Sequence, residues 1–250
     1  MSNFKHLKTK KSRNEAGLFM VEGEKFIAEI PSYYDILYYI ASRKYADAHD
    51  LSHFKEKAHC EVIRDSLFDS LADTVTPQGI IAVCKQMTYT LEDILNNNGF
   101  IFMGENLNDP GNLGTLVRTA AAAGASGVIL TAGSCDIYNP KVLRAGAGAV
   151  LRMPIITEVH TDEILDALKR QNIPIYAGHP RGNALPYDVN FCEKFCLLVG
   201  NESHGLSEKA IEKSSMLIRL PMTNATESLN ASVAGSVLLY EAVRQRLHHF

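Results

Sequence analysis

Three places in the chain carry polar residues that their neighbours do not call for. Arg118 stands in a run of small and apolar residues (113–123, LGTLVRTAAAA), and Asn112 comes just before it. Gly200, Asn201 and Glu202 follow the apolar run 197–199 directly. A second short run ends at Leu220, Pro221 and Met222, and Ser228, Leu229 and Asn230 then lead into a stretch rich in small residues. A guanidinium grips an oxyanion or stabilises one as it develops. Glycine lets backbone lie close to another group. Apolar runs that stop at glycine and polar residues look like strand ends, where open α/β sheets place ligands. Plainer readings stand beside these. Arg118 can be a salt-bridged helix residue, Glu202 can accept from the free N–H groups of a helix start, and Ser228 or Asn230 can cap the last helix.

Other chemistries lack their residues. The chain has no GxGxxG, GxxxxGK[ST], HExxH or GxSxG pattern and no Cys/His cluster, so dinucleotide, P-loop, zinc and serine-hydrolase sites are unsupported. His204 is the one histidine inside a candidate site, and a surface or turn role is expected for it. The cysteines at 60, 84, 135, 192 and 196 form no CxxC pair, which suits a reducing compartment. Cys192 and Cys196 are expected to be buried as small hydrophobes.

A net charge of −3 does not advertise a nucleic-acid partner, so the distribution of charge matters more than its total. Residues 3–14 concentrate Lys5, His6, Lys8, Lys10, Lys11 and Arg13. They read either as a solvated terminus or as a basic arm meeting phosphates. With no leader-like apolar segment and no run near the ~18–20 residues of a membrane span, a cytoplasmic protein without membrane contact is expected.

Apolar runs alternate with helix-like stretches throughout. Strands are predicted at 18–21, 79–86, 100–105, 127–130, 155–159, 173–178 and 216–220, with helices between them. Asp109 with Pro110, or else Asn112, reads as a helix start, and Asp65 or Ser66 as the cap of a short helix at 65–71. The segment 87–99, with its Asn96–Asn98 run and Gly99, is the most linker-like piece. It places a boundary near residue 90, between units 1–90 and 91–250. The fold class is α/β, its second unit a mostly parallel sheet covered on both faces.

The segments NLNDPGNLGTLVRTAAAAGASGVIL, LLVGNESHGLS and LPMTNATESLNASVAGSVLLYEAVRQ resemble, in order and spacing, the three motifs of the SpoU (TrmH) family of SPOUT RNA ribose methyltransferases. LFMVEG and TPQGIIAV resemble the family's small L30e-like substrate-binding domain. The resemblance implies a C-terminal trefoil knot, a homodimer, and methyl transfer from S-adenosyl-L-methionine to a ribose 2′-hydroxyl of RNA, ribosomal or transfer, without a metal. It assigns Arg118, Asn112, Glu202, Ser228 and Asn230 to catalysis, and Gly200, Leu220, Met222 and Leu229 to the cofactor. Two positions depart from the pattern: Asn224 replaces a usual Gly and Ala231 a common Val. Asn tolerates a left-handed backbone best after Gly, so a turn is expected to survive at Asn224. The rival reading is a non-catalytic RNA-binding protein on the same fold.

Overall fold

Strand and helix alternate as the apolar pattern requires, and they form two sheets. The computed structural model describes residues 4–224 and 228–247. The first sheet comprises β1 (Leu18–Glu22), β2 (Ile36–Ser42), β3 (His59–Ile63) and β4 (Ile80–Lys85), in the order β1-β4-β2-β3. Only the β2–β3 pair is parallel. Helices α1 (Lys10–Ala16), α2 (Glu24–Ala28), α3 (Arg43–Ala48), α4 (Ser52–Lys57) and α5 (Asp65–Leu71) accompany it. Arg64 holds the cap position of α5 without a side-chain bond, so neither Asp65 nor Ser66 caps it as expected.

Short helix α6 (Leu91–Leu95) leads to the second sheet: β5 (Ile101–Gly104), β6 (Gly127–Thr131), β7 (Ile155–Val159), β8 (Ile175–Gly178), β9 (Cys196–Val199) and β10 (Met216–Ile218). Its order is β10-β8-β9-β5-β6-β7, and every pairing is parallel. The helices are α7 (Pro110–Ala122), α8 (Pro140–Gly146), α9 (Ala149–Arg152), α10 (Thr161–Arg170), α11 (Glu208–Lys213) and α12 (Ala231–Leu247). Strands β5, β6 and β9 are buried at every residue. They read as unbroken apolar runs because helices cover both faces. Phe102, Val128 and Leu197 face the α7, α8 and α12 side, while Met103, Ile129 and Leu198 face α6, α10 and α11.

One core cluster spans both sheets, from Phe19 and Ile80 to Leu116 and Leu239. Phe19 stacks on Tyr138 with ring centroids 4.3 Å apart. The linker-like stretch is tied down as well, since Met87 N–H donates to the Tyr138 hydroxyl at 2.9 Å and Ile94 is fully buried.

The N-terminal basic stretch is anchored at one face, while Lys5, His6, Lys8, Lys10 and Lys11 stay exposed. Phe4 and Leu7 are buried, and the Arg13 guanidinium donates to Asp136 and to the Leu7 carbonyl. Lys10 pairs with Glu158, and Lys8 donates to the Ala72 carbonyl. Two apolar residues and the buried Arg13–Asp136 pair dock it.

Candidate functional site

In a parallel sheet all carboxyl ends share one edge, so the loops after β5, β8, β9 and β10 gather together. Two of them are fixed by capping chemistry. Asp109 accepts from Asn112 N–H at 2.7 Å, with Pro110 opening α7, so Asp109 rather than Asn112 is the cap. The Asn112 side chain is then free for the neighbouring strand end: its amide donates to Glu202 Oε1 at 3.0 Å. Glu202 therefore meets the first motif instead of capping a helix.

Asn201, to which the sequence assigns no role of its own between Gly200 and Glu202, organises this corner. It is buried, and its amide donates to the Asn106 carbonyl at 2.8 Å. Its Oδ1 accepts from Ser203 N–H at 2.8 Å and from His204 N–H at 3.0 Å, with the His204 ring nitrogen 3.2 Å away. His204 is thus a turn residue. Glu105, also buried, accepts from the Thr161 hydroxyl and from the Ser207 N–H and hydroxyl, each at 2.8 Å. A carboxylate and an amide inside apolar surroundings need such partners, and that demand was the available signal. Gly200 has an intrachain reason: a Cβ there would lie 2.5–2.6 Å from the Gly205 backbone.

The β10 end supplies unpartnered backbone. The N–H groups of Leu220, Met222, Thr223 and Asn224 make no hydrogen bond with the described residues, and the Leu220 and Met222 side chains are half-buried. Asn224 does not adopt the left-handed turn expected there; among the described residues the positive-φ positions other than glycine are Asn106, Ala147, Glu158 and Asn172. Asn230 caps α12, its Oδ1 accepting from Ser232 N–H and hydroxyl and from Val233 N–H. Ser228 and Leu229 are exposed. The loop after β8, passed over in the sequence reading, forms a further wall: His179 N–H donates to the Ile218 carbonyl and Arg219 N–H to the Ala184 carbonyl. Its sequence signal was Gly178 at a strand end, the same rule that marked Gly200.

Arg118 stands apart. Six residues from Asn112, it points roughly 120° away around α7. It is exposed and makes no ion pair or hydrogen bond with any described residue, so the salt-bridged reading fails among them. Beside it, Thr115 lines a shallow groove with Ser232, Val233, Ser236, Val237 and Tyr240 of α12. Val233, Val237 and Tyr240 are 47%, 46% and 53% exposed at helical spacing.

Among the described residues no group of His, Cys, Asp and Glu is placed to hold a metal, and no helix is long and apolar enough to cross a membrane. All five cysteines are free; Cys196 is fully buried, but Cys192 is only half-buried because it lies before β9 rather than in it.

The fold, a six-stranded parallel sheet covered by helices, is shared with solved RNA methyltransferases. AviRb of Streptomyces viridochromogenes, a SpoU methyltransferase solved in complex with AdoMet, superposes with a TM-score of 0.88 at 24% identity, covering 99% of this chain and 98% of that one. An AdoMet-bound rRNA methyltransferase from Sinorhizobium meliloti gives 0.84 at 27% identity over 96% and 92%. In sequence, the 23S rRNA (guanosine(2553)-2′-O)-methyltransferase RlmP of Bacillus subtilis is 32% identical over 96% of this chain and 94% of its own length. The SpoU rRNA methylase family model matches residues 99–240, an MRM3-like substrate binding domain model matches residues 2–82, and the chain belongs to the SpoU rRNA methylase family.

Proposed function

We propose that this chain transfers the methyl group of S-adenosylmethionine to a ribose 2′-hydroxyl of ribosomal RNA, with residues 1–90 holding the RNA and 91–250 carrying the chemistry. The observation that carries the reading is the Asn112–Glu202 bridge. It ties the start of α7 to the β9 turn at the sheet edge where unpartnered backbone follows β10. Those N–H groups, with the apolar Leu220, Met222 and Leu229, fit an adenosine: donors for a heterocycle and apolar walls for its faces. When bound, the sulfonium supplies an electrophilic methyl group, so the protein's task is positioning. Glu202 and Asn112 hold the turn that meets the donor, and Ser228 stands at the loop's end with its hydroxyl unpaired among the described residues. Asn230 keeps that loop against α12 as its cap.

Arg118 carries a fixed positive charge, because a guanidinium does not deprotonate in proteins. It serves as the group that grips the phosphate beside the target ribose and stabilises the oxygen as its proton leaves. It is exposed on α7, one turn from Thr115, which lines the groove with Val233 and Tyr240. A second copy covering that groove, in a homodimer, sets Arg118 against the partner's loops. The path of α12 back against β8 and β9 is taken as the trefoil knot of the family.

Incubating the purified chain and labelled donor with ribosomal RNA lacking its modifications, then mapping 2′-O-methyl groups, tests the reading. One or a few labelled ribose positions are expected. A chain that binds no donor and labels neither ribosomal nor transfer RNA is instead the non-catalytic RNA binder.

A further inference from the structure

Arg181 and Arg219 lie on different loops, after β8 and β10, yet the backbone forces them together. Gly182 packs so tightly that a Cβ would sit 2.6 Å from the Leu217 carbonyl and 2.8 Å from Arg219 N. Bonds from Arg219 N–H to the Ala184 carbonyl and from Ala184 N–H to the Leu217 carbonyl lock the two segments. With standard backbone dimensions the two arginine Cα atoms are at most roughly 10 Å apart. Both side chains are exposed, and neither forms an ion pair or hydrogen bond with a described residue. The Asp188 carboxylate on the same loop accepts from the Leu185 N–H at 3.2 Å and forms no ion pair with a described residue. Two like charges held side by side repel unless an anion sits between them. Downstream on the same loop, Tyr187 is 61% exposed, a large aromatic left in solvent. Burial, and then the Arg181 charge, pushes the His179 pKa below its ordinary value.

Arginines beside an exposed aromatic are what a single RNA strand needs: guanidinia for phosphates and a ring for a base. We propose that the 179–188 loop and Arg219 form an RNA-strand clamp, in which Arg181 and Arg219 grip adjacent phosphates and Tyr187 stacks on a base. This rests on the methyltransferase reading, because the clamp borders the site proposed for the donor.

The test is fluorescence anisotropy with a labelled 20-nucleotide RNA of mixed sequence across a salt series, together with calorimetry of S-adenosylmethionine. Arg181→Gln/Arg219→Gln should reduce the slope of log affinity against log salt by about 1.4, two contacts at ~0.7 each for a single strand. Tyr187→Ala should weaken binding without changing that slope. Lys169→Gln/Arg170→Gln, at the far end of α10, is the control and should leave both unchanged. An unchanged slope in the double arginine variant overturns the proposal. So does a loss of donor affinity with RNA binding intact, which would assign the arginines to the donor's carboxylate. Failure of the wild-type chain to bind the donor would instead overturn the methyltransferase reading, and the salt series can still be read.

Discussion

Replacing Arg13 with Met should destabilise the protein out of proportion to its place near the N-terminus. The Arg13 and Asp136 side chains are only 4% and 8% exposed; one comes from α1 beside the first sheet and the other from the loop after β6 of the second. Arg13 Nε donates to Asp136 Oδ2 at 2.8 Å, and Nη1 donates to the Leu7 carbonyl at 2.8 Å. Arg13→Met fills the space but strands a buried carboxylate, whose remaining partner is the Tyr138 N–H at 2.9 Å. Breaking one side of a buried pair costs about 3–5 kcal/mol. For a chain of this size each kcal/mol lowers Tm by about 2–4 °C, so a fall of about 6–20 °C is expected. Asp136→Asn alone should fall similarly, because it strands the guanidinium. The double variant Arg13→Met/Asp136→Asn carries neither buried charge and should recover much of the loss, giving a coupling energy above about 1 kcal/mol. Thermal unfolding followed by circular dichroism on all four proteins completes the cycle. A single-variant Tm within 2 °C of wild type, or simple additivity, refutes the reasoning that this pair holds the two sheets together.

Three further outcomes follow from the packing. Burial pushes Tyr138 up to about 12 from 10.0 and Cys84 up to about 12 from 9.0, and burial with the Glu24 bond pushes Tyr45 up to about 12. These groups stay protonated longer when folded, so their contribution is complete below pH ~9 and is lost as pH rises through about 12; a Tm at pH 11 equal to that at pH 8 would contradict this. Asn201→Asp keeps the acceptor for Ser203 and His204 but turns an oxygen towards the Asn106 carbonyl, so turnover should fall at least about tenfold, with Asn201→Ser intermediate; unchanged kcat for Asn201→Asp would show that the β9 turn does not depend on this link. Gly114→Ala brings a Cβ to 2.5 Å from Ala145 Cβ and 2.7 Å from the Val142 carbonyl. Overpacking of about 1–3 kcal/mol then outweighs the helix-propensity gain of up to about 1, so urea unfolding should show a net loss; a more stable variant would mean that α7 and α8 separate easily.

The fold was legible wherever apolar runs had one period. The strands of the second sheet announce themselves as unbroken apolar runs because helices cover both faces, and Asp109–Pro110 marks the start of α7 by capping chemistry alone. The Asn112–Glu202 contact was not legible, since it joins loops of neighbouring strands 90 residues apart. Neither was the fate of Arg13, because a charge run carries no record of which member will find a buried carboxylate 123 residues away. Asn201 stood out as part of the 200–202 turn but without a role, because its work is to satisfy buried backbone, which no spacing reveals. Arg118 was picked out by its apolar neighbours, and its six-residue spacing from Asn112 already sets the two roughly 120° apart around a helix; that it lacks a partner among the described residues was not legible.

The central claim is tested most directly at Arg118, with steady-state methylation of ribosomal RNA and calorimetry of S-adenosylmethionine measured on the same preparations. Arg118→Ala should lower kcat by about 10²–10³-fold, the scale of losing a charge stabiliser at the reacting oxygen, while donor affinity stays within about twofold. Arg118→Lys should recover only a small part, because it keeps the charge and loses the fork. Near-wild-type turnover by Arg118→Ala, or a donor affinity that falls in step with turnover, would contradict the account.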